Sequence, residues 1–146
     1  MERFLLDTSC MVAAVCAWHE DHSPTAKEIS RRLAEGQRMV SAAPALVEAY
    51  AVLTRLPSPH RLAPGDALSL VEINFIHNAQ VVSLDSRTYA NLLHQAPSAG
   101  IFGGRTYDAV IAQCATQAQV ATLLTLNGAH FKGWESEHLK IVVPVL

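Results

Sequence analysis

Hydrophobic positions along this chain fall into short blocks separated by polar turns. Phe4-Leu-Leu6 is an apolar run closed by Asp7-Thr-Ser9, which reads as a buried strand over Arg3–Leu6 followed by a helix N-cap. Cys10–Trp18 is apolar and alanine-rich and predicts a helix. Ser23-Pro24 opens the next one. There Ala26, Ile29 and Leu33 recur at helical spacing, Glu28, Arg31 and Arg32 face outward, and Gly36 stops the helix. A strand is predicted at Arg38–Ala42 and a helix at Pro44–Leu56. Prolines 57, 59 and 64 mark a loop, after which a helix runs over Pro64–His77. Gln80–Leu84 is a third strand, and Asp85 or Ser86 caps a helix over Arg87–Gln95. Ala96–Gly104 carries Pro97, Gly100, Gly103 and Gly104 and reads as a loop. Thr106–Gln117 is a strongly apolar helix, Ala121–Leu126 a fourth strand and Lys140–Val143 a last short one.

Strands alternating with helices imply a parallel sheet covered on both faces. With right-handed crossovers this gives an α/β fold, a three-layer α/β/α sandwich around a mostly parallel sheet. Neither proline- or glycine-rich segment is long enough to divide the chain, so residues 1–146 are expected to form a single domain. In open sheets of this kind the working crevice lies beyond the carboxyl ends of the strands. The polar residues just after each strand therefore matter most.

Composition sharpens this picture. Half of the 146 residues are hydrophobic and only 16% are charged, against roughly 25% in an average soluble domain. Intrinsic disorder is excluded, and the charge deficit implies apolar surface buried against something beyond the chain's own core. The formal net charge of -2 excludes a globally basic nucleic-acid binder but not a local basic patch. Cys10, Cys16 and Cys114 are odd in number and widely spaced, which is no disulfide framework and fits a reducing compartment. Glu2, Arg3 and Asp7 interrupt the start, unlike a signal peptide, and the charge-free stretch Ala109–Phe131 is too rich in Gln and Thr to span a membrane. A soluble, cytoplasmic protein is expected.

Asp7 follows the first strand and Asn127 the fourth. Glu48, in Ala45-Leu-Val-Glu-Ala-Tyr50, and Asp108, in Arg105-Thr-Tyr-Asp-Ala-Val-Ile-Ala112, stand on otherwise apolar helices. A carboxylate in such a setting costs several kcal/mol unless it is paired or bound to a cation. Carboxylates converging without matching Lys or Arg suit a hard divalent ion, Mg²⁺ or Mn²⁺. Such an ion at a strand-end crevice suits phosphodiester hydrolysis, and it inverts the local charge so that a polyanion can approach.

Leu5-Leu-Asp7-Thr-Ser9, Leu46-Val-Glu48, Thr106-Tyr-Asp108-Ala and Leu124-Thr-Leu-Asn127-Gly-Ala-His-Phe131 occur in that order. Together they resemble the PIN-domain ribonucleases, specifically the VapC-type toxins of bacterial toxin–antitoxin pairs. The resemblance spans nearly the whole chain. It implies a metal-dependent endoribonuclease (Mg²⁺ or Mn²⁺) that cuts structured RNA to leave a 5′-phosphate and a 3′-hydroxyl. It also implies a cognate antitoxin protein as partner, and a homodimer. Asp7, Glu48 and Asp108 match the three acidic metal positions, with Ser9 and Thr106 orienting carboxylates or waters. Asn127 occupies a fourth position that is often Asp. It is counted with the catalytic set, but it brings no charge and so favours one tightly held ion over two. The helices Cys10–Trp18 and Pro44–Leu56 are the candidates for the self-contact and the antitoxin contact.

Other features carry blander readings. His19-Glu20-Asp21-His22 has its histidines three apart, not the four of a helical zinc motif, and reads as a solvated loop. His130 reads as a surface turn residue over a catalytic base. Gly103-Gly104 lacks the strand-to-helix context of a phosphate cradle, which argues against a nucleotide-binding protein. Among the cations Arg31, Arg32, Arg55, Arg61, Arg105 and Lys132, Arg105 is the best placed for RNA backbone, three residues before Asp108. The alternative to an enzyme is a catalytically weak PIN-like module that grips RNA or protein without cutting, motivated by Asn127.

Overall fold

The computed structural model describes residues 2–145. The first and last positions of the expected domain lie outside it. Five strands form one sheet: β1 (Arg3–Leu6), β2 (Arg38–Ala42), β3 (Gln80–Val82), β4 (Thr122–Leu124) and β5 (Lys140–Val142). All pairings are parallel and the order is β3-β2-β1-β4-β5. The helices are α1 (Thr8–Val15), α2 (His22–Ala34), α3 (Ala43–Thr54), α4 (Pro64–Val71), α5 (Ser86–Ala99), α6 (Arg105–Gln117) and the short α7 (Gly128–Phe131).

β1 and β4 are apolar without alternation because both faces are covered: Phe4, Leu5, Leu6, Leu123 and Leu124 are fully buried. Right-handed crossovers place α1–α4 on one face and α5–α7 on the other. The packing agrees, with α1 against α2 and α3, α3 against α4, α5 against α6 and α6 against α7. The α/β/α sandwich expected from the sequence is the fold observed. From β1 the chain first steps outward to β2 and β3, then returns to the other side of β1 for β4 and β5. The crevice between the ends of β1 and β4 is thus the topological switch point, where such sheets bind ligands.

Several element boundaries differ from the sequence expectation. α1 stops at Val15, not Trp18; Trp18 instead stacks on His60 at 4.1 Å between ring centroids. Helix α5 runs through Pro97 to Ala99. A proline in a last turn removes only one helical hydrogen bond, and Gly100, at φ +71, is the residue that ends the helix. The helix expected over Pro64–His77 widens after Val71 into a π-turn, Glu72–Ile76, with Phe75 buried in the core. On α1, Cys10, Met11, Val12 and Ala13 are buried, and Ala14 and Val15 remain partly exposed. α3 does keep an exposed apolar side, Val47 and Tyr50. The three cysteines are free and buried.

Leu123, on β4, is fully buried and paired between β1 and β5. Leu123→Ala is expected to cost about 2–5 kcal/mol, because the packed sheet cannot close the void. A urea titration showing a loss well under 1 kcal/mol would contradict that placement.

Candidate active site

Asp7 is the residue at which the chain leaves β1 and enters α1. Its backbone is extended, and its N–H continues the sheet ladder by donating to the Leu124 carbonyl at 2.9 Å. Its side chain is buried, at 3% exposure. Oδ1 accepts the Cys10 N–H at 3.0 Å, which caps α1, and the Ser9 hydroxyl at 2.7 Å. Oδ2 accepts the Thr125 hydroxyl at 2.6 Å. Those hydroxyls are held in turn: Ser9 Oγ accepts the Leu126 N–H at 3.1 Å, and Thr125 Oγ1 accepts the Asn127 N–H at 2.9 Å. The exits of β1 and β4 are therefore stitched together through one carboxylate.

Among the described residues, no Lys, Arg or His acts on Asp7 to offset its charge. Burial pushes its carboxyl above the usual range, the bonds from Ser9, Thr125 and Cys10 pull it partly back, and the nearby negative charge of Asp108 adds to the rise. Asp108 lies in the first turn of α6, where the helix dipole favours an anion. It is also raised, chiefly by burial; His130 lowers it, Glu48 raises it and Arg105 lowers it. Glu48 is half-buried on α3, and its Oε1 accepts the hydroxyl of Thr8, the first residue of α1. His130 Nδ1 stands 3.7 Å from Asp108 Oδ2.

The three carboxylates thus come from three different elements and act on one another in pairs, Asp7 with Asp108 and Asp108 with Glu48. Among the described residues, no three His, Cys, Asp or Glu side chains close into a tight metal-holding group. The reason is visible in the geometry. Both Asp7 oxygens and one Glu48 oxygen are engaged by hydroxyls instead. This donor set is all oxygen, and the one charge beside Asp7 that its surroundings contribute is a second carboxylate. It fits Mg²⁺ or Mn²⁺, which keep several waters and need only one or two direct carboxylates.

Other sequence candidates fall as follows. Ser9 touches Asp7 as expected. The Thr106 hydroxyl makes no hydrogen bond to a carboxylate among the described residues; its backbone N–H closes the turn onto Gly103. Asn127 precedes α7, and its contribution to the network is its N–H to Thr125. Arg105 reaches the His130 carbonyl at 3.5 Å and leaves its charge near Asp108. Lys132 is exposed after α7. Arg31 and Arg32 are taken up by ion pairs with Glu28 on α2 and, for Arg31, with Glu35 just after it. His22 bonds the Ala13 carbonyl, so the His19–His22 segment is partly structural and not simply solvated. Thr8 and Thr125 were not singled out from sequence. Each lies inside a quoted motif, Thr8 one position after Asp7 and Thr125 two positions before Asn127.

The PIN domain profile matches residues 4–132. Ribonuclease VapC40 of Mycobacterium tuberculosis is 37% identical over 119 residues, covering 82% of this chain and 82% of that protein. Among solved structures, Mycobacterium tuberculosis VapC20, a sarcin-ricin loop cleaving toxin, superposes with a TM-score of 0.70 at 14% identity, covering 92% of this chain and 97% of that one. VapBC2 from Rickettsia felis, bound to a DNA fragment from their promoter, gives a TM-score of 0.67 at 18% identity, covering 98% and 99%. With a profile match over most of its length, and a relative of that identity and coverage, the chain belongs to the PIN-domain family.

Proposed function

We propose that this protein is a divalent-metal-dependent endoribonuclease and the toxin half of a toxin–antitoxin pair, with residues 1–146 working as one domain. The observation that carries the reading is the buried Asp7 carboxylate near Asp108 at the switch point of the sheet, with no Lys, Arg or His offsetting its charge among the described residues. The ribonuclease relative supports it at 37% identity. Asp7 and Asp108 would hold Mg²⁺ or Mn²⁺, with Glu48 reaching it directly or through water. When bound, the ion supplies a nucleophile from water at neutral pH and charge stabilisation on the phosphate. Ser9 and Thr125 fix the direction of the Asp7 lone pairs, and Thr8 does the same for Glu48. Arg105 adds positive charge beside Asp108, where a phosphate would approach. The antitoxin partner is inferred from the VapBC complexes among the similar structures. A second reading, a binding module without cleavage, rests on Asn127 standing where a fourth acid would add charge.

Three outcomes check this. Antitoxin-free protein is expected to cut cellular RNA only with Mg²⁺ or Mn²⁺, and Asp108→Ala to lower the rate by at least about 100-fold. RNA-end mapping in cells expressing each form reads this. Cleavage that survives in the variant sinks the proposal, and binding of RNA without any cutting selects the second reading. Thr125→Val is expected to raise the half-saturating Mg²⁺ concentration by about 10–100-fold with the fold retained. Calorimetric titration measures it, and an unchanged affinity refutes the role given to Thr125.

The third concerns stability. Burial raises Asp7 and Asp108, so without a cation the fold favours their protonated forms. That contribution is fully present below the ordinary carboxylate range and is lost as pH rises through the raised values. In chelator, Asp7→Asn keeps the cap and removes the charge. It is expected to melt higher than wild type by a few degrees, about 1 kcal/mol, with a gain that is small in mild acid and grows toward neutral pH. A variant that melts lower at every pH would show that the charge is not a burden.

A further inference from the structure

A groove of about 670 Å³ opens beside Glu48, between α3, the N-terminal turn of α6 and the start of α5. This lies within the range of small-molecule sites, roughly 300–1,000 Å³. Its walls are largely apolar, with Val47 and Ala51 along α3, and two aromatic rings, Tyr89 and Tyr107. Val47 is 70% exposed and Tyr107 64%. Arg55, the residue after α3, also lines it. Among the described residues, neither tyrosine hydroxyl nor the Arg55 guanidinium has a hydrogen-bond or ion-pair partner.

We infer that this groove is a base-stacking subsite, which takes one unpaired nucleotide of the RNA substrate with its base on Tyr107 and Tyr89 and a flanking phosphate at Arg55. The inference rests on the ribonuclease reading above. Two observations select this occupant. The groove is continuous with the carboxylates, since Glu48 forms part of its wall and Tyr107 precedes Asp108, so whatever fills it lies against the reacting phosphate. It also pairs aromatic faces with one free cation, the combination that holds single-stranded nucleic acid without reading its sequence. In a chain of net charge -2, such an uncharged contact supplies affinity that the surface electrostatics do not. A duplex keeps its base faces stacked and hidden, so the subsite selects unpaired positions.

The test uses the full chain in chelator, so that no cutting occurs, and a fluorescein-labelled oligoadenylate of about twelve nucleotides alongside the same strand in duplex form. Anisotropy is expected to show wild type preferring the single strand. Tyr107→Ala should weaken that binding on the order of tenfold, and Tyr107→Trp should restore it. Arg55→Gln should lower the slope of log affinity against log salt by about 0.7. Light scattering on each variant follows the oligomeric state. Unchanged binding in Tyr107→Ala, no rescue by Tyr107→Trp, or loss of binding only together with loss of self-association overturns the subsite, the last by making the groove a contact between copies. If wild type neither binds nor, with metal, cuts any RNA, the ribonuclease reading itself falls. If wild type cuts and the tyrosine variants match its affinity, the subsite falls alone.

Discussion

Asp7 carries a carboxylate into the interior at the end of the central strand, and three donors close on it: the Cys10 N–H, the Ser9 hydroxyl and the Thr125 hydroxyl. An ionised group held there without them would cost several kcal/mol. The donors come from both sides of the switch point, so the site requires β4 to sit against β1 in one register. That register is Leu5 opposite Leu123 and Leu6 opposite Leu124. A slip of one residue would reverse the faces of β4 and withdraw Thr125. Shape and chemistry are thus specified by the same pairing. What the donors do not supply is positive charge, and on the function proposed above that deficit is the opening for a divalent ion.

The fold class was legible because its signals are local. Uninterrupted apolar strands such as Phe4-Leu-Leu6 and Thr122-Leu-Leu124 announce a sheet covered on both faces, and Gly36 and the Asp85 cap announce helix ends. The misplaced boundaries have local causes too. Pro97 looks like a breaker, but only one bond is lost at a last turn. Trp18 looks like helix, but stacking on His60 offers it more contact beyond Val15.

The carboxylates were legible for a different reason. Asp7, Glu48 and Asp108 stand out because their neighbours are apolar, which is a contrast visible in one dimension. Thr8 and Thr125 carry no such contrast, since threonine at a strand end or first helical turn is ordinary. Their importance lies in which oxygen they reach. Thr8 bonds a glutamate 40 positions away, and Thr125 bonds an aspartate 118 positions away. The charge deficit noted in the composition resolves into places as well. α1 spends its apolar residues on the core, while Val47, Tyr50 and Tyr107 remain outside.

The 118-residue separation of Asp7 and Thr125 also bears on when in synthesis the crevice takes shape. Asp7 emerges early in synthesis and Thr125 late. Until β4 docks, the Asp7 oxygen that Thr125 will hold has no fixed direction, and the strand that fixes it is unmade. A nascent chain consequently lacks the assembled crevice until β4 has emerged, and so does any fragment cut short before β4.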